Sequence, residues 1–347
     1  MDRDDVFIGL FGLATALCAG EMIYRLRDRN VSRARFLRER WTLEKSWERF
    51  DALSGWELIP GFVSDDLRIN RHGFRGPELV GERTFRVMCL GDSVTFGPMG
   101  EKNPYPHVAR EELLNMKTAR PVEVINAGVG GHSSGNMRFR VKRLMRFRPD
   151  AVVIFAGWND MYSDDITAYA DKRASFSSYW HIAPHRNVRS HLLAAIGESA
   201  YPERRHPEPI AYKPSQFVPF NFEYNLREII AAVRLRHARA ALMTLPKLIP
   251  DDIASLTPQM KKKTMLPSYL DAGRYKDFIT VYRAYDAVIR RVAEDTDSPV
   301  IDTEALFEGQ KRPRNTFFED TCHLTVQGQK LAGKFLAGEL VRLGLVP

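Results

Sequence analysis

Four short segments of the chain carry side chains suited to acyl transfer, and each follows or adjoins an apolar run. The first is Val87-Met88-Cys89-Leu90-Gly91-Asp92-Ser93-Val94-Thr95-Phe96-Gly97. Extended residues from Phe85 to Leu90 belong in a buried sheet, and Gly91 permits a sharp turn. Ser93 then falls at a helix N-terminus, where unpaired backbone N–H groups and the helix dipole favour negative charge. A carbonyl oxygen gains such charge when a hydroxyl attacks it. The second segment is Val124-Ile125-Asn126-Ala127-Gly128-Val129-Gly130-Gly131-His132-Ser133-Ser134. Its glycines let a backbone N–H come close to a ligand. The third is Val152-Val153-Ile154-Phe155-Ala156-Gly157-Trp158-Asn159-Asp160, in which the Asn159 amide can donate a hydrogen bond to an oxyanion. The fourth is Phe318-Glu319-Asp320-Thr321-Cys322-His323-Leu324-Thr325. Asp320 and His323 are spaced to meet in one tight turn, where the carboxylate orients the imidazole.

In this order the four segments resemble the SGNH hydrolases, also called the GDSL esterase/lipase family, over residues 84 to 345. The resemblance implies that Ser93 is the nucleophile and that Asp320 and His323 complete its triad. It implies that Ser93, Gly131 and Asn159 supply the oxyanion-hole donors. Gly131 is chosen over Gly128 and Gly130 because it aligns with the later glycine of the family pattern. The expected activity is hydrolysis of carboxylic esters by a serine esterase or deacylase. Two other readings use the same residues differently: an O-acyltransferase acting on a glycan, and a membrane-tethered binding or scaffold protein with a vestigial triad. Asp92 and Asp160 are expected to fix turns by capping. His132 reads as a solvent-facing loop residue and Cys322 as filler. Trp158 reads equally as the floor of an acyl or sugar site and as a packed aromatic.

These residues need a scaffold that delivers them to one rim. The expected fold is α/β: a three-layer, flavodoxin-like, parallel five-stranded sheet flanked by helices, the SGNH hydrolase fold. Strands are expected near Phe85–Leu90, Glu123–Asn126, Ala151–Ala156, Ala240–Leu245 and Pro299–Asp302. Helical spacing marks Leu226–Arg236, Phe278–Glu294 and Leu331–Leu343. Proline-rich or irregular inserts fall near residues 161–220 and 250–274, where a cap over the cleft or a contact with lipid headgroups is expected. Before the hydrolase domain (85–347) are expected a membrane-anchor helix (1–24), a basic amphipathic linker helix (25–50) and a loop-rich lead-in (51–84). In the lead-in, His72 and Arg75 read as structural loop residues.

Val6–Gly20 carries no charge, and with Met22-Ile23-Tyr24 beyond Glu21 the run reaches about 19 residues, just enough to span a bilayer. An acidic start is the wrong sign for a secretory signal peptide, so an uncleaved anchor is expected. Arginines on its C-terminal flank weakly favour the cytoplasmic face, and the extracytoplasmic face stays open. The formal net charge is +8, part of it in Arg138, Arg140, Lys142, Arg143, Arg146 and Arg148. Because Phe139, Val141, Leu144, Met145 and Phe147 form the apolar side of that helix, these cations read as a solvated face. No nucleic-acid motif accompanies them. The expected partners are an acyl-ester small molecule, glycan or lipid, and the membrane. Cys18, Cys89 and Cys322 are too scattered for a disulfide framework. No cofactor or metal is expected, since no cysteine–histidine cluster has ligand spacing.

Overall fold

The computed structural model describes residues 12–23, 26, 47–51, 54–81, 84–116, 118–162, 214, 217–267, 270 and 272–347. Nearly all of the expected linker helix 25–50 and most of the insert near 161–220 lie outside the described residues. Of the expected anchor, residues 12–23 are helical and expose Leu13, Leu17, Met22 and Ile23. Among the described residues no helix is long and apolar enough to cross a membrane.

Ahead of the sheet stand two short strands, β1 (Glu48–Asp51) and β2 (Gly55–Leu58), paired as an antiparallel hairpin. The central sheet holds β3 (Phe85–Gly91), β4 (Val122–Gly128), β5 (Ala151–Phe155), β6 (Arg239–Met243) and β7 (Val300–Ile301). β4 and β5 are buried along their whole length, as strands covered by helices on both faces must be. The sheet order is β4-β3-β5-β6-β7, and every pairing is parallel. The chain leaves β3 for one edge and then crosses back to β5, so its direction reverses at β3. Open α/β sheets bind ligands at such a reversal, outside the C-terminal strand ends. Gly91 pairs with both Gly128 and Phe155, which sets the ends of β3, β4 and β5 level along one rim.

The helices that matter to that rim are α1 (Ser93–Phe96), α2 (Tyr105–Asn115), α3 (Ser134–Leu144), α4 (Trp158–Met161), α5 (Phe220–Arg234), α6 (Pro258–Lys263), α7 (Tyr275–Asp295), α8 (Thr303–Glu308) and α9 (Val326–Arg342). α2 packs against α9, whereas α3 packs against α5 and α5 against α7. Right-handed crossovers place these two groups on opposite faces of the sheet. α5, α7 and α9 each begin earlier than the expected helices at Leu226, Phe278 and Leu331. Their first turns are rich in polar and aromatic residues that blur the apolar stripe, and α9 starts where the Thr325 hydroxyl accepts the Gly328 N–H.

The lead-in is more ordered than a loop-rich connector. Leu58, Leu67 and Ile69 form a small second core with Phe96 of α1 and Val129 of the β4–α3 loop. Arg75 N–H donates to the Asn126 carbonyl at 3.2 Å and so covers part of the sheet's β4 edge. The Arg75 guanidinium is buried. It donates to the carbonyls of Phe96 and Gly97 at 2.7 Å each and to Pro98 at 2.6 Å, and stacks on the Phe96 ring.

Candidate active site

Ser93 is the first residue of α1, directly beyond the β3 rim. Asp92 caps this helix by accepting the Val94 N–H at 2.8 Å. The Ser93 N–H is left without an acceptor among the described residues, as expected for a first-turn amide. Asp92 is fully buried, and that burial pushes its carboxyl up to about 7.

The turn after β7 and α8 brings His323 to this hydroxyl: Ser93 Oγ lies 2.8 Å from His323 Nε2. On the far side of the ring, His323 Nδ1 lies 2.7 Å from Asp320 Oδ2. Asp320 Oδ1 also accepts the backbone N–H groups of His323 at 2.8 Å and Cys322 at 2.9 Å. Burial alone would raise the Asp320 carboxyl, but these bonds, led by the imidazole's, hold it down at about 2. An ionised carboxylate only accepts, so Nδ1 carries the proton and Nε2 of the neutral ring accepts from the Ser93 hydroxyl. The bond to Asp320 raises the His323 pKa above its ordinary value against the opposing effect of burial. The described sequence-expected residues Ser93, His323 and Asp320 thus form one continuous hydrogen-bonded chain.

The two remaining expected residues occupy the neighbouring strand ends. Gly131 has φ +75° in a turn closed by His132 N–H to the Val129 carbonyl at 3.2 Å, a conformation that favours glycine. No acceptor among the described residues takes the Gly131 N–H. The alternative Gly128 is spent: its N–H goes to Asn126 Oδ1 at 2.9 Å, and a Cβ there would sit 2.2 Å from the Phe96 nitrogen. Asn159 is the second residue of α4, and its amide donates to the His132 carbonyl at 3.0 Å. That bond ties the β5 end to the β4 end and leaves a second amide hydrogen for another acceptor. Contrary to expectation, Asp160 does not cap its own turn; it accepts the Ser134 N–H at 2.8 Å and its hydroxyl, and so fixes the start of α3 instead.

Several expectations are corrected. His132 does not face solvent: it is fully buried, and its Nε2–H donates to the Trp56 carbonyl at 2.9 Å. The β1–β2 hairpin covers it, and nothing in the local sequence announces that cover. The solvated-face reading of the basic run holds for Lys142, Arg146 and Arg148, which are exposed, but not for Arg138, Arg140 and Arg143. Arg138 and Arg140 are buried, Arg138 over the rings of Phe139 and Tyr224. Arg140 pairs with Glu57 at 2.8 Å, and Arg143 pairs with both Asp51 and Glu57 at 2.7 Å. Their partners lie in the lead-in, far away in sequence. Trp158 is a packed aromatic, 2% exposed and stacked on Phe278 at 6.5 Å.

Cys322 fills the inside of the Asp320–His323 turn, and burial pushes its thiol well up. Asp320, Cys322 and His323 are the group among the described residues whose donor atoms lie close enough for a metal. Asp320 and His323 are already bonded to each other, and burial keeps the thiol protonated. The second insert is anchored beside this turn: Met265 N–H donates to Thr321 Oγ1 at 2.8 Å, and Tyr162 donates to the Met265 carbonyl at 2.6 Å. Arg75 is structural, as expected, whereas Trp56 escaped sequence reasoning because no motif spacing links it to the rim.

The GDSL-like lipase/acylhydrolase family matches residues 89–331 of this chain. No curated protein matches it. Among solved structures it is similar to the lipase/acylhydrolase from Enterococcus faecalis, at 19% identity over 76% of this chain and 98% of that one, with a TM-score of 0.46. It is similar to the acetyl xylan esterase AlAXEase at 19% identity, over 75% of this chain and 99% of that one, with a TM-score of 0.44. A psychrotrophic esterase from Pseudoalteromonas shares 13% identity over 74% of this chain and 97% of its own, with a TM-score of 0.43. The ordered segments, the level strand ends and the family match agree: the chain belongs to the GDSL-like lipase/acylhydrolase family and is an ester-hydrolysing enzyme.

Proposed function

We propose that this chain is a serine esterase or deacylase that works through Ser93, His323 and Asp320. The observation that carries the reading is the chain from Ser93 Oγ through His323 to Asp320, with contacts of 2.8 and 2.7 Å. His323 takes the Ser93 proton as the hydroxyl attacks the ester carbonyl, and ionised Asp320 stabilises the imidazolium. The Ser93 and Gly131 N–H groups and the second hydrogen of the Asn159 amide receive the oxyanion. The imidazolium then protonates the leaving alcohol, and a water activated by His323 releases the acyl group. Water as acceptor is supported by the 40% exposure of the His323 side chain, which leaves room for a solvent molecule at the base. The substrate we propose is an acyl ester of a small molecule, glycan or lipid, approached past the Met265 loop. Ser93→Ala should abolish cleavage of a chromogenic acetate ester without changing the thermal melt. Retained turnover by that variant would refute the reading.

We further propose that the N-terminal segment holds the enzyme at a membrane, with the cytoplasmic face favoured by the arginines that follow it. The exposed apolar side chains of residues 12–23 support this, since such a surface is costly in water. A chain lacking residues 1–46 should move from the membrane to the soluble fraction; equal partitioning of the two chains would overturn the proposal.

A further inference from the structure

Trp56 belongs to β2, outside the residues 89–331 matched by the family. Its indole Nε1–H donates to the Gly130 carbonyl at 2.8 Å, and its own carbonyl accepts the His132 Nε2–H at 2.9 Å. The Trp56 and His132 rings meet edge to face with centroids 5.2 Å apart. The Gly130 carbonyl and the Gly131 N–H are parts of one peptide unit. That unit is planar and trans, so its C=O and N–H point in opposite directions. Whatever fixes the carbonyl therefore aims the amide. Flanking glycines lack the steric restraint that would hold this plane unaided. A hydrogen bond accepted at the carbonyl also polarises the amide and strengthens its N–H as a donor. From the other side, the Asn159 amide donates to the His132 carbonyl at 3.0 Å. The proposed backbone and side-chain oxyanion donors are thus connected through residues that Trp56 grips twice.

We infer that Trp56 is a positioning residue for the oxyanion hole, aiming the Gly131 N–H through its bond to the Gly130 carbonyl. The hairpin that carries it is held for this task. Arg143 binds Asp51, Ser54 and Glu57, and Arg140 binds Glu57, so β1 and β2 are clamped onto α3 on both sides of Trp56. The inference rests on the oxyanion role of Gly131 proposed above. It adds that the hole depends on a hairpin outside the residues 89–331 matched by the family.

The test is Trp56→Phe, which keeps an aromatic ring beside His132 and removes the indole N–H together with one of its two fused rings. Rates are counted per active site by stoichiometric labelling of Ser93 with a fluorophosphonate, so unfolded molecules drop out. The expected result is a fall in kcat of roughly tenfold to a hundredfold, less than the loss of a whole oxyanion donor. KM and the acid limb of the pH profile should stay unchanged, because the Ser93–His323–Asp320 chain is not touched. Trp56→His, which restores a ring N–H, should recover part of kcat, whereas a purely structural role predicts no such recovery. A wild-type kcat per labelled site in Trp56→Phe overturns the inference, as does a loss confined to KM or to thermal stability. Loss of activity in Ser93→Ala together with normal kcat in Trp56→Phe would refute this inference alone. Activity surviving in Ser93→Ala would refute the proposed mechanism beneath it.

Discussion

The Asp320–His323 turn and the Val129–Ser133 loop face the same rim but are held in opposite ways. In the turn the imidazole is oriented locally: one carboxylate accepts two backbone N–H groups and the imidazole, all within four residues, while Thr321 reaches out to Met265 and Leu248. The loop is held from outside, by Trp56 at Gly130 and His132 and by Asn159 at the His132 carbonyl. A group that transfers protons gains from a short, stiff linkage to its orienting acid. A backbone donor flanked by glycines has little stiffness of its own and borrows it from distant elements. Damage to the turn should therefore act on proton transfer, whereas damage around the loop should act on oxyanion stabilisation and on the fold's lead-in.

Asp320→Asn is the largest expected break. The amide leaves the ring tautomer unfixed and removes the charge opposite the imidazolium, so kcat should fall by roughly three to four orders of magnitude. The pH profile gives the sign. His323 must be neutral to act, and Asp320 raises its pKa above 6.5, so wild-type kcat/KM should climb with pH through a midpoint above 6.5. Without Asp320, burial dominates and lowers the His323 pKa, so the acid limb should move to lower pH. An unmoved limb would separate Asp320 from the base. Asn159→Ala should cost roughly a hundredfold or more in kcat with the limb in place; wild-type kcat in that variant would remove Asn159 from the oxyanion hole.

Glu57→Ala attacks the external bracing without touching any group at the rim. It leaves the Arg140 side chain, only 1% exposed, without its carboxylate. Breaking one partner of such a buried pair costs about 3–5 kcal/mol. We expect a clear fall in the denaturation midpoint, a fall of severalfold in kcat per labelled site, and an unchanged acid limb. A midpoint equal to wild type would show that the hairpin does not depend on this pair.

The contrast between turn and loop also separates what the sequence discloses from what it hides. β3, β4 and β5 are legible because apolar runs end in glycines at Gly91, Gly128 and Gly157, and the functional side chains follow at once. Asp320 and His323 are legible because their interaction is local. The lead-in is not. Trp56 and Gly130 are separated by 74 positions, and Arg143 and Asp51 by 92, so no periodicity links them. Arg138 and Arg140 look solvated on helical spacing alone because Tyr224 and Glu57, which help to bury them, belong to other elements. His132 misleads for the same reason. β7 is two residues long, and its position follows from pairing with β6 more than from its own composition.

Cys322→Ala carries the smallest expected effect and tests the locally oriented half of the comparison most closely. The thiol lies 3.6 Å from His323 Nδ1, and the proposed chemistry leaves it unused. If the turn is held by Asp320 and the backbone, the cysteine contributes volume alone: its N–H still donates to Asp320 Oδ1 after substitution. Losing a buried sulfur then costs about 1 kcal/mol of stability through the small void. The ring and its carboxylate keep their geometry, so kcat should stay within about threefold of wild type. Fluorophosphonate labelling at Ser93 should stay stoichiometric. A loss of two orders of magnitude, or a shifted acid limb, would show that the thiol takes part in setting the imidazole. The turn would then depend, as the loop does, on packing around it.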